Sequence, residues 1–354
     1  MQKIRVGVLG ATGSVGQRFV QLLAGHPWFE CTALAASVRS AGRPYREACN
    51  WFLSAGMPDR AANMVVQPIE PGLDCQLVFS ALPAEVAQSV EEDFAAAGYG
   101  VLTNTKSHRY DSDVPLVTAE VNPDHLAMIP FQQGQRGWDR GFIVANSNCV
   151  AMPLAMTLAP LQRAFGIKAL IVQTMQALSG AGYHGVPSLA ALDNVIPFIK
   201  GEEEKIGPET KKMLGSFSDG KFDDANFKLS AHCNRVAALD GHMETVSVSF
   251  EAPSISPEAV LEAWHSWTPL PQKLNLPSAP KCPLVIRSEP NRPQTRLDRD
   301  NGNGMAVTIG RLRPCEVLDF KYVHLSHNTI RGAAGASILN AELMLAQGML
   351  DRFR

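Results

Sequence analysis

Cys149 stands in the stretch Ala145-Asn146-Ser147-Asn148-Cys149-Val150-Ala151-Met152-Pro153, with polar residues before it and an apolar run after it. Ser147 and Asn148 suit a helix cap, and Pro153 is tolerated only near a helix start, so the pattern predicts a helix beginning at or just after the cysteine. A thiol in that place feels the positive end of the helix dipole, which favours the thiolate and lowers its pKa below the free value of about 8.5. Such a sulfur is a nucleophile. His242 offers a proton-transfer partner: it follows the turn Asp240-Gly241 and leads into an alternating strand over 245–250. On strand parity it falls with Val246, Val248 and Phe250, so periodicity fits a core histidine equally well. The cysteines at 31, 49, 75, 233, 282 and 315 are widely scattered, and no C-x-x-C pair occurs. They are expected to be reduced and mostly buried, with neither a disulfide framework nor a zinc site; no metal is expected.

A second constellation is the glycine turn Gly10-Ala11-Thr12-Gly13-Ser14-Val15-Gly16, which follows the apolar run Ile4-Arg5-Val6-Gly7-Val8-Leu9 and opens a helical pattern. Strand, turn and helix in that order aim backbone N–H groups and a helix N-terminus at a pyrophosphate, as in a dinucleotide site. An NAD site would place an acid after the second strand. The chain has Ala35-Ala36-Ser37-Val38-Arg39-Ser40 there instead. Hydroxyls and a guanidinium suit a 2′-phosphate, so Ser37, Arg39 and Ser40 point to NADP, the alternative being that Arg39 is an ordinary exposed arginine. A thiol beside a nicotinamide implies acylating aldehyde oxidation: addition to the aldehyde, hydride loss, then transfer of the acyl group to phosphate.

These residues need a frame. At 354 residues the chain exceeds what one core usually serves, given about 150 residues per domain. Strands over 4–9, 29–36, 76–79 and 100–103, with a helix over 84–97, imply βαβ units and a parallel sheet. After Cys149 a helix over 150–165 precedes strands over 168–176, 245–250, 305–312 and 317–323, which imply a mixed or antiparallel sheet. An irregular excursion over 268–300 suggests an interface, and a last helix covers 330–350. The fold class expected is α/β: a Rossmann-type parallel-sheet domain over 1–149 plus an α+β catalytic and oligomerisation domain with a mixed sheet over 150–327. With 45% hydrophobic residues, 19% charged residues and a net charge of −2, no basic excess offers itself to nucleic acid. No window approaches a membrane span and no secretory signal is recognised, so a cytoplasmic protein is expected.

The motifs resemble those of the aspartate-β-semialdehyde dehydrogenases, within the branch typical of archaea and fungi. The likeness runs from Gly10–Gly16 through Ser147-Asn148-Cys149, Gln176-Ala177-Leu178-Ser179-Gly180-Ala181-Gly182 and Gly201-Glu202-Glu203-Glu204-Lys205 to Ser326-His327-Asn328-Thr329-Ile330-Arg331-Gly332-Ala333-Ala334-Gly335. It implies Cys149 as the acyl-accepting nucleophile, Asn148 and Gln176 as residues that orient the intermediate and substrate, and His242 as the acid-base. Arg235 would hold the substrate carboxylate, Glu202 its ammonium, and Lys205, Arg109 and Asn104 the phosphate. Without the resemblance, Glu202 and Lys205 read as a solvated i, i+3 pair. Cofactor contacts are implied at Gly10, Thr12, Gly13, Ser14, Val15, Gly16, Ser80, Leu82, Ser179, Gly180, Asn328 and Thr329, with the segment 328–354 completing the cofactor domain. The activity implied is reduction of L-4-aspartyl phosphate to L-aspartate 4-semialdehyde with release of inorganic phosphate, toward lysine, threonine, methionine and isoleucine, in a homodimer or homotetramer. The sequence departs from the family pattern at Val150 and Ala151, at Ala119 and at Met243. Alternatives are a malonyl-CoA reductase of the same fold, which would have no use for Glu202, N-acetylglutamyl-phosphate reductase, whose pattern around the cysteine differs, and a non-catalytic NADP-binding sensor.

Overall fold

The structure, a computed structural model, describes residues 2–353. Six strands form the first sheet: β1 (Ile4–Leu9), β2 (Phe29–Ala35), β3 (Leu77–Ser80), β4 (Gly100–Thr103), β5 (Leu116–Val117) and β6 (Phe142–Asn146). Their order is β2-β1-β3-β4-β6-β5, and every pairing is parallel. β3, β4 and β6 are buried at every position, as continuous apolar strands covered on both faces must be. The chain turns outward from β1 to β2 and then returns to β3, so a crevice opens beyond the carboxyl ends of β1 and β3. Gly10 closes β1 at φ 77°, where a β-carbon would come within 2.6 Å of the Ala81 carbonyl oxygen.

The second sheet is mixed. Its strands are β7 (Ile167–Gln176), β10 (Lys228–Arg235), β11 (His242–Phe250), β12 (Leu284–Arg287), β13 (Val307–Pro314) and β14 (Phe320–Ser326), in the order β10-β7-β11-β14-β13-β12; β8 (Ser216–Ser218) and β9 (Lys221–Asp223) form a separate hairpin. β7 runs parallel to β10 and antiparallel to β11. Along β7, Leu170, Val172 and Thr174 are buried whereas Ile171 and Gln173 are exposed, so one face is packed and the other open. Helix Ala151–Phe165 lies between the sheets: Leu154, Met156 and Leu158 share one apolar cluster with Val78, Val101 and Ile143 of the first sheet and Val172, Val246 and Ile309 of the second. A helix buried from both sides must be apolar nearly all round, and this one is. The final helix, Gly335–Ala346, places Ile338, Leu339 and Met344 in a second cluster with Ile4, Val6 and Phe79 of the first sheet.

The fold class is the one expected, and particular elements differ. β6 and β10 are absent from the sequence reading. The excursion over 268–300 supplies the edge strand β12 together with short helices Leu270–Lys273 and Thr295–Asp298. Val317 is not in a strand: it is 82% exposed in a tight turn closed by Cys315 N–H donating to the Asp319 carbonyl, and β14 starts three residues later. The last helix opens with a π-helical turn, Ile330–Ala334.

Candidate active site

β6 delivers Ser147-Asn148-Cys149 to the crevice, and the helix begins at Ala151, just past the sulfur. Asn148 fixes this turn at both ends of its carboxamide. Oδ1 accepts from the amides of Val150 (2.8 Å) and Ala151 (3.2 Å), and Nδ2 donates to Glu202 Oε1 at 2.8 Å. Val150 and Ala151 are themselves fully buried. Three more polar residues reach the sulfur's cleft or its wall from the second sheet. Arg235 and Gln176 are register partners at the ends of the parallel pair β10 and β7, and His242 opens the neighbouring β11.

A cleft of about 550 Å³ brings Cys149 together with Arg109, Gln176, Glu202, Lys205 and Arg235. Asn148 and Gly180 line it too, as does Lys106, which the sequence reading did not single out. Arg235 Nη1 donates to the Ala177 carbonyl at 2.6 Å. Gln176 Nε2 donates to Thr174 Oγ1 (3.3 Å) and Glu202 Oε1 (3.5 Å), and Lys205 Nζ donates to Glu202 Oε2 at 2.8 Å. Glu202 is the hub of this arrangement. Burial works to raise its pKa, but the ammonium of Lys205, the Asn148 hydrogen bond and the Arg109 charge outweigh it, so the carboxyl titrates below its ordinary range.

His242 is fully buried, and its Nδ1 accepts from the Ala177 amide at 3.0 Å. The neutral ring therefore carries its proton on Nε2. Nε2 has no hydrogen-bond partner among the described residues and lies beside Gly180 in the cleft wall, 3.1 Å from where a β-carbon would stand on that glycine. Burial, with the Arg235 and His327 charges, pulls its pKa down to about 3. The strand parity and the proton-transfer position coexist in one residue.

The thiol differs from the sequence expectation. Its pKa is pushed up to about 12, by burial first and by the Glu202 carboxylate second, against the lowering effect of Arg109 and Arg235. The first two amides of the helix are already held by Asn148. The resting nucleophile is a thiol.

Across the cleft, the segment after β4 carries Asn104 and Arg109. Arg109 is buried; Nη1 donates to Glu209 Oε1 (3.0 Å) and Nη2 to the Asn104 carbonyl (2.9 Å), while Nε has no partner among the described residues. The guanidinium as a whole brings a positive charge to the cleft. The Asn104 side chain does not line the cleft: its Oδ1 accepts from Asn146 Nδ2 at 2.8 Å, and it is the main-chain carbonyl that holds Arg109.

A second cleft of about 470 Å³ adjoins the first through Val186, which lines both. Ser14 stands at the start of helix Ser14–Leu23 on one side, with Ser179 and Thr329 opposite, and Phe52 stacks on Tyr183 at 4.6 Å between ring centroids. Thr329 Oγ1 accepts from Arg18 Nε at 3.1 Å. Asn328 bonds Ser179 Oγ through Nδ2 and the Gly241 amide through Oδ1, both at 2.8 Å, and so ties two loops of the second domain beside His242. Thr12, Gly13 and Val15 complete the turn at the head of that helix; a β-carbon on Gly16 would sit 2.2 Å from the Gly10 carbonyl oxygen. Past β2, Ser37 and Arg39 are exposed and Ser40 is partly so, with no acid among them. The turn, the helix end and these three residues fit an NADP phosphate and pyrophosphate. Ser80 is committed elsewhere: its hydroxyl donates to the buried Glu91 at 2.5 Å, and Leu82 is buried beside it.

Three groups escaped the sequence reading. Glu209 and Lys212 lie on the buried side of helix Glu203–Leu214, against the Cys149 loop and the Arg109 segment, and the signal was available, because positions 202, 205, 209 and 212 recur at helical spacing. Lys212 Nζ donates to the carbonyls of Arg109, Asp111 and Val114 at 3.0 to 3.1 Å, and burial lowers its pKa to about 8. Arg331 and Glu120, both fully buried, form a bidentate pair at 2.6 and 3.0 Å that no local pattern announces.

Residues 5–129 match the family model for the semialdehyde dehydrogenase NAD binding domain, and residues 158–331 match that for the semialdehyde dehydrogenase dimerisation domain. The aspartate-semialdehyde dehydrogenase of Archaeoglobus fulgidus is 51% identical over 98% of this chain and 99% of its own length. That of Schizosaccharomyces pombe is 46% identical, with 98% and 99% covered. The solved structure of the Candida albicans aspartate semialdehyde dehydrogenase with NADP superposes at a TM-score of 0.91, with 43% identity, over 98% of this chain and 100% of that one. By its two family domains and by full-length identity to archaeal and fungal relatives, the chain belongs to the aspartate-semialdehyde dehydrogenase family.

Proposed function

We infer that the chain catalyses the NADP-dependent, reversible reduction of L-4-aspartyl phosphate to L-aspartate 4-semialdehyde and phosphate, through an acyl group held on Cys149. The observation that carries this reading is the grouping of one thiol, two arginines and a lysine-paired carboxylate around a single cleft next to the glycine turn. Relatives and solved structures with the same full-length fold bear the aspartate-semialdehyde name, which supports the aspartyl substrate over the thioester-reducing and sensor alternatives.

The positions of the side chains support the following roles in that reading. The Arg235 guanidinium takes the substrate α-carboxylate, and Glu202, kept ionised by Lys205, takes the ammonium; together they fix the substrate at both ends of its amino-acid moiety. Arg109 and Lys106 receive the phosphoryl group. The Arg109 and Arg235 charges both act to lower the thiol pKa, against burial and the Glu202 carboxylate, and so favour the sulfur anion. Attack on the acyl carbon forms the carbon–sulfur bond and breaks the carbon–oxygen bond to phosphate, which carries away the thiol proton and leaves a thioester on Cys149. The glycine turn and the start of helix Ser14–Leu23 would hold NADPH, whose chemistry there is hydride donation to the acyl carbon. His242 donates a hydrogen bond from Nε2 to the acyl oxygen as it takes up negative charge, and the tetrahedral adduct then expels the Cys149 thiolate to release the aldehyde.

The open face of the second sheet, with Ile171 45% exposed, and the dimerisation-type domain match support a homodimer or a pair of dimers. No described helix is long and apolar enough to cross a membrane, and we assign the enzyme to the cytoplasm. The test is NADPH formation from aspartate semialdehyde with and without phosphate, in the parent and in Cys149→Ala. We expect phosphate-dependent turnover that the substitution abolishes; turnover with malonate semialdehyde and coenzyme A alone would overturn the reading.

A further inference from the structure

Glu209 is a fully buried carboxylate of helix Glu203–Leu214, and its two oxygens serve different parts of the site. Oε2 accepts from Ser147 Oγ at 3.0 Å and from the Asn148 amide at 2.6 Å, both on the loop that carries Cys149. Oε1 accepts from Arg109 Nη1 at 3.0 Å and from Tyr110 Oη at 3.4 Å, both on the segment across the cleft. Glu209 holds Nη1 and the Asn104 carbonyl holds Nη2, so the guanidinium stands at the cleft in an orientation fixed from two sides. Lys212, one turn further along the same helix, ties down the main chain of the Arg109 segment through three carbonyls.

We propose that Glu209 is a positioning residue that sets the phosphate-binding guanidinium and the nucleophile loop in register, one carboxylate oxygen for each. This rests on the aspartyl phosphate reading, since it assigns the anion at Arg109 to phosphate. The helix thereby fixes how far the leaving group stands from the sulfur. A carboxylate shared by four donors is suited to the task, because charge-assisted hydrogen bonds are short and directional.

Glu209→Gln separates the two arms. The amide oxygen can still accept from Ser147 and Asn148, but the amide N–H₂ would then face the Arg109 guanidinium, donor against donor. In steady-state assays of the NADP-loaded enzyme, the phosphate KM is expected to rise about tenfold, with the aspartate semialdehyde KM and the rate of Cys149 alkylation by iodoacetamide within about twofold of the parent. Glu209→Ala removes both arms and is expected to change the alkylation rate as well. Glu209→Asp keeps the charge and serves if either of these fails to fold; its shorter reach predicts an intermediate rise in phosphate KM. An unchanged or lowered phosphate KM in Glu209→Gln, or both KM values rising together, would overturn the role of Glu209. Absence of phosphate-dependent turnover in the parent would overturn the functional reading instead.

Discussion

Gly332 is pressed against Cys149: a β-carbon on the glycine would lie 2.7 Å from the cysteine Cβ and 3.0 Å from its Cα. The π-helical turn Ile330–Ala334 is thus the backing of the nucleophile, held in place by the Arg331–Glu120 pair. Gly332→Ala must displace backbone, which no rotamer change can relieve. We expect a loss in kcat/KM of about 100-fold and in stability of about 1–3 kcal/mol, checked by NADPH formation and urea unfolding. Full activity in the variant would show that the loop yields freely.

The raised thiol pKa has a direct reading in alkylation kinetics. With the pKa near 12, Cys149 in the ligand-free enzyme is protonated throughout the neutral range. The rate of its reaction with iodoacetamide, followed by mass spectrometry, is expected to climb about tenfold per pH unit from pH 6 to 9 without a plateau. A plateau near neutrality would mean that the helix end and the arginines win after all.

Glu244 sits beneath the site between Thr174 and His324 of the flanking strands, 3.5 Å from His324 Nε2, with no hydrogen bond to either carboxyl oxygen among the described residues. Burial, and then the charge of Glu202, push its pKa well above the ordinary value, so the folded protein retains a proton that the unfolded chain releases. Stability from this group falls as pH rises from the unfolded carboxyl range toward the folded pKa. His242 and His324, both brought down to about 3, act oppositely: their stabilisation is complete above the unfolded histidine range and is lost as pH falls below it. The unfolding free energy of the parent, from urea titrations, should therefore fall relative to that of Glu244→Gln as pH rises above the unfolded carboxyl range, by up to about 1.4 kcal/mol per pH unit. A difference between the two that does not change with pH would refute the assignment.

Cofactor choice rests on the loop after β2. Arg39 is exposed, with no acid beside it, so Arg39→Ala is expected to raise the NADP KM about tenfold while leaving activity with NAD within about twofold. Equal effects on the two cofactors would remove Arg39 from the 2′-phosphate site.

Much of this architecture is legible in the chain. Strand, glycine turn and helix follow one another at β1, and the apolar strands of a two-sided parallel sheet stand out, as does the proline that confines the helix start near Cys149. β6 and β10 are harder: β6 runs straight into the catalytic motif, and β10 carries Lys228, Ser230, His232 and Asn234 on its partly exposed side. The direction of the thiol shift was not legible, because it depends on Glu202, fifty-three positions away, and on burial that only tertiary packing creates. Glu209 was hidden differently. Its spacing from Glu202 and Lys205 was visible, but its partners Arg109 and Ser147 come from segments about 60 to 100 residues distant, and helical periodicity cannot say what a face will meet.

The Asn148 carboxamide, by occupying the Val150 and Ala151 amides, has one more consequence. Enzymes that place a nucleophile at a helix start commonly recruit those very amides as an oxyanion hole. Here they are spent, so the negative oxygen of the tetrahedral adduct must find its donors on the opposite wall, where the imidazole N–H and the Gln176 carboxamide stand. On the proposed reaction, the face on which the adduct forms is thereby set by the asparagine that occupies those amides.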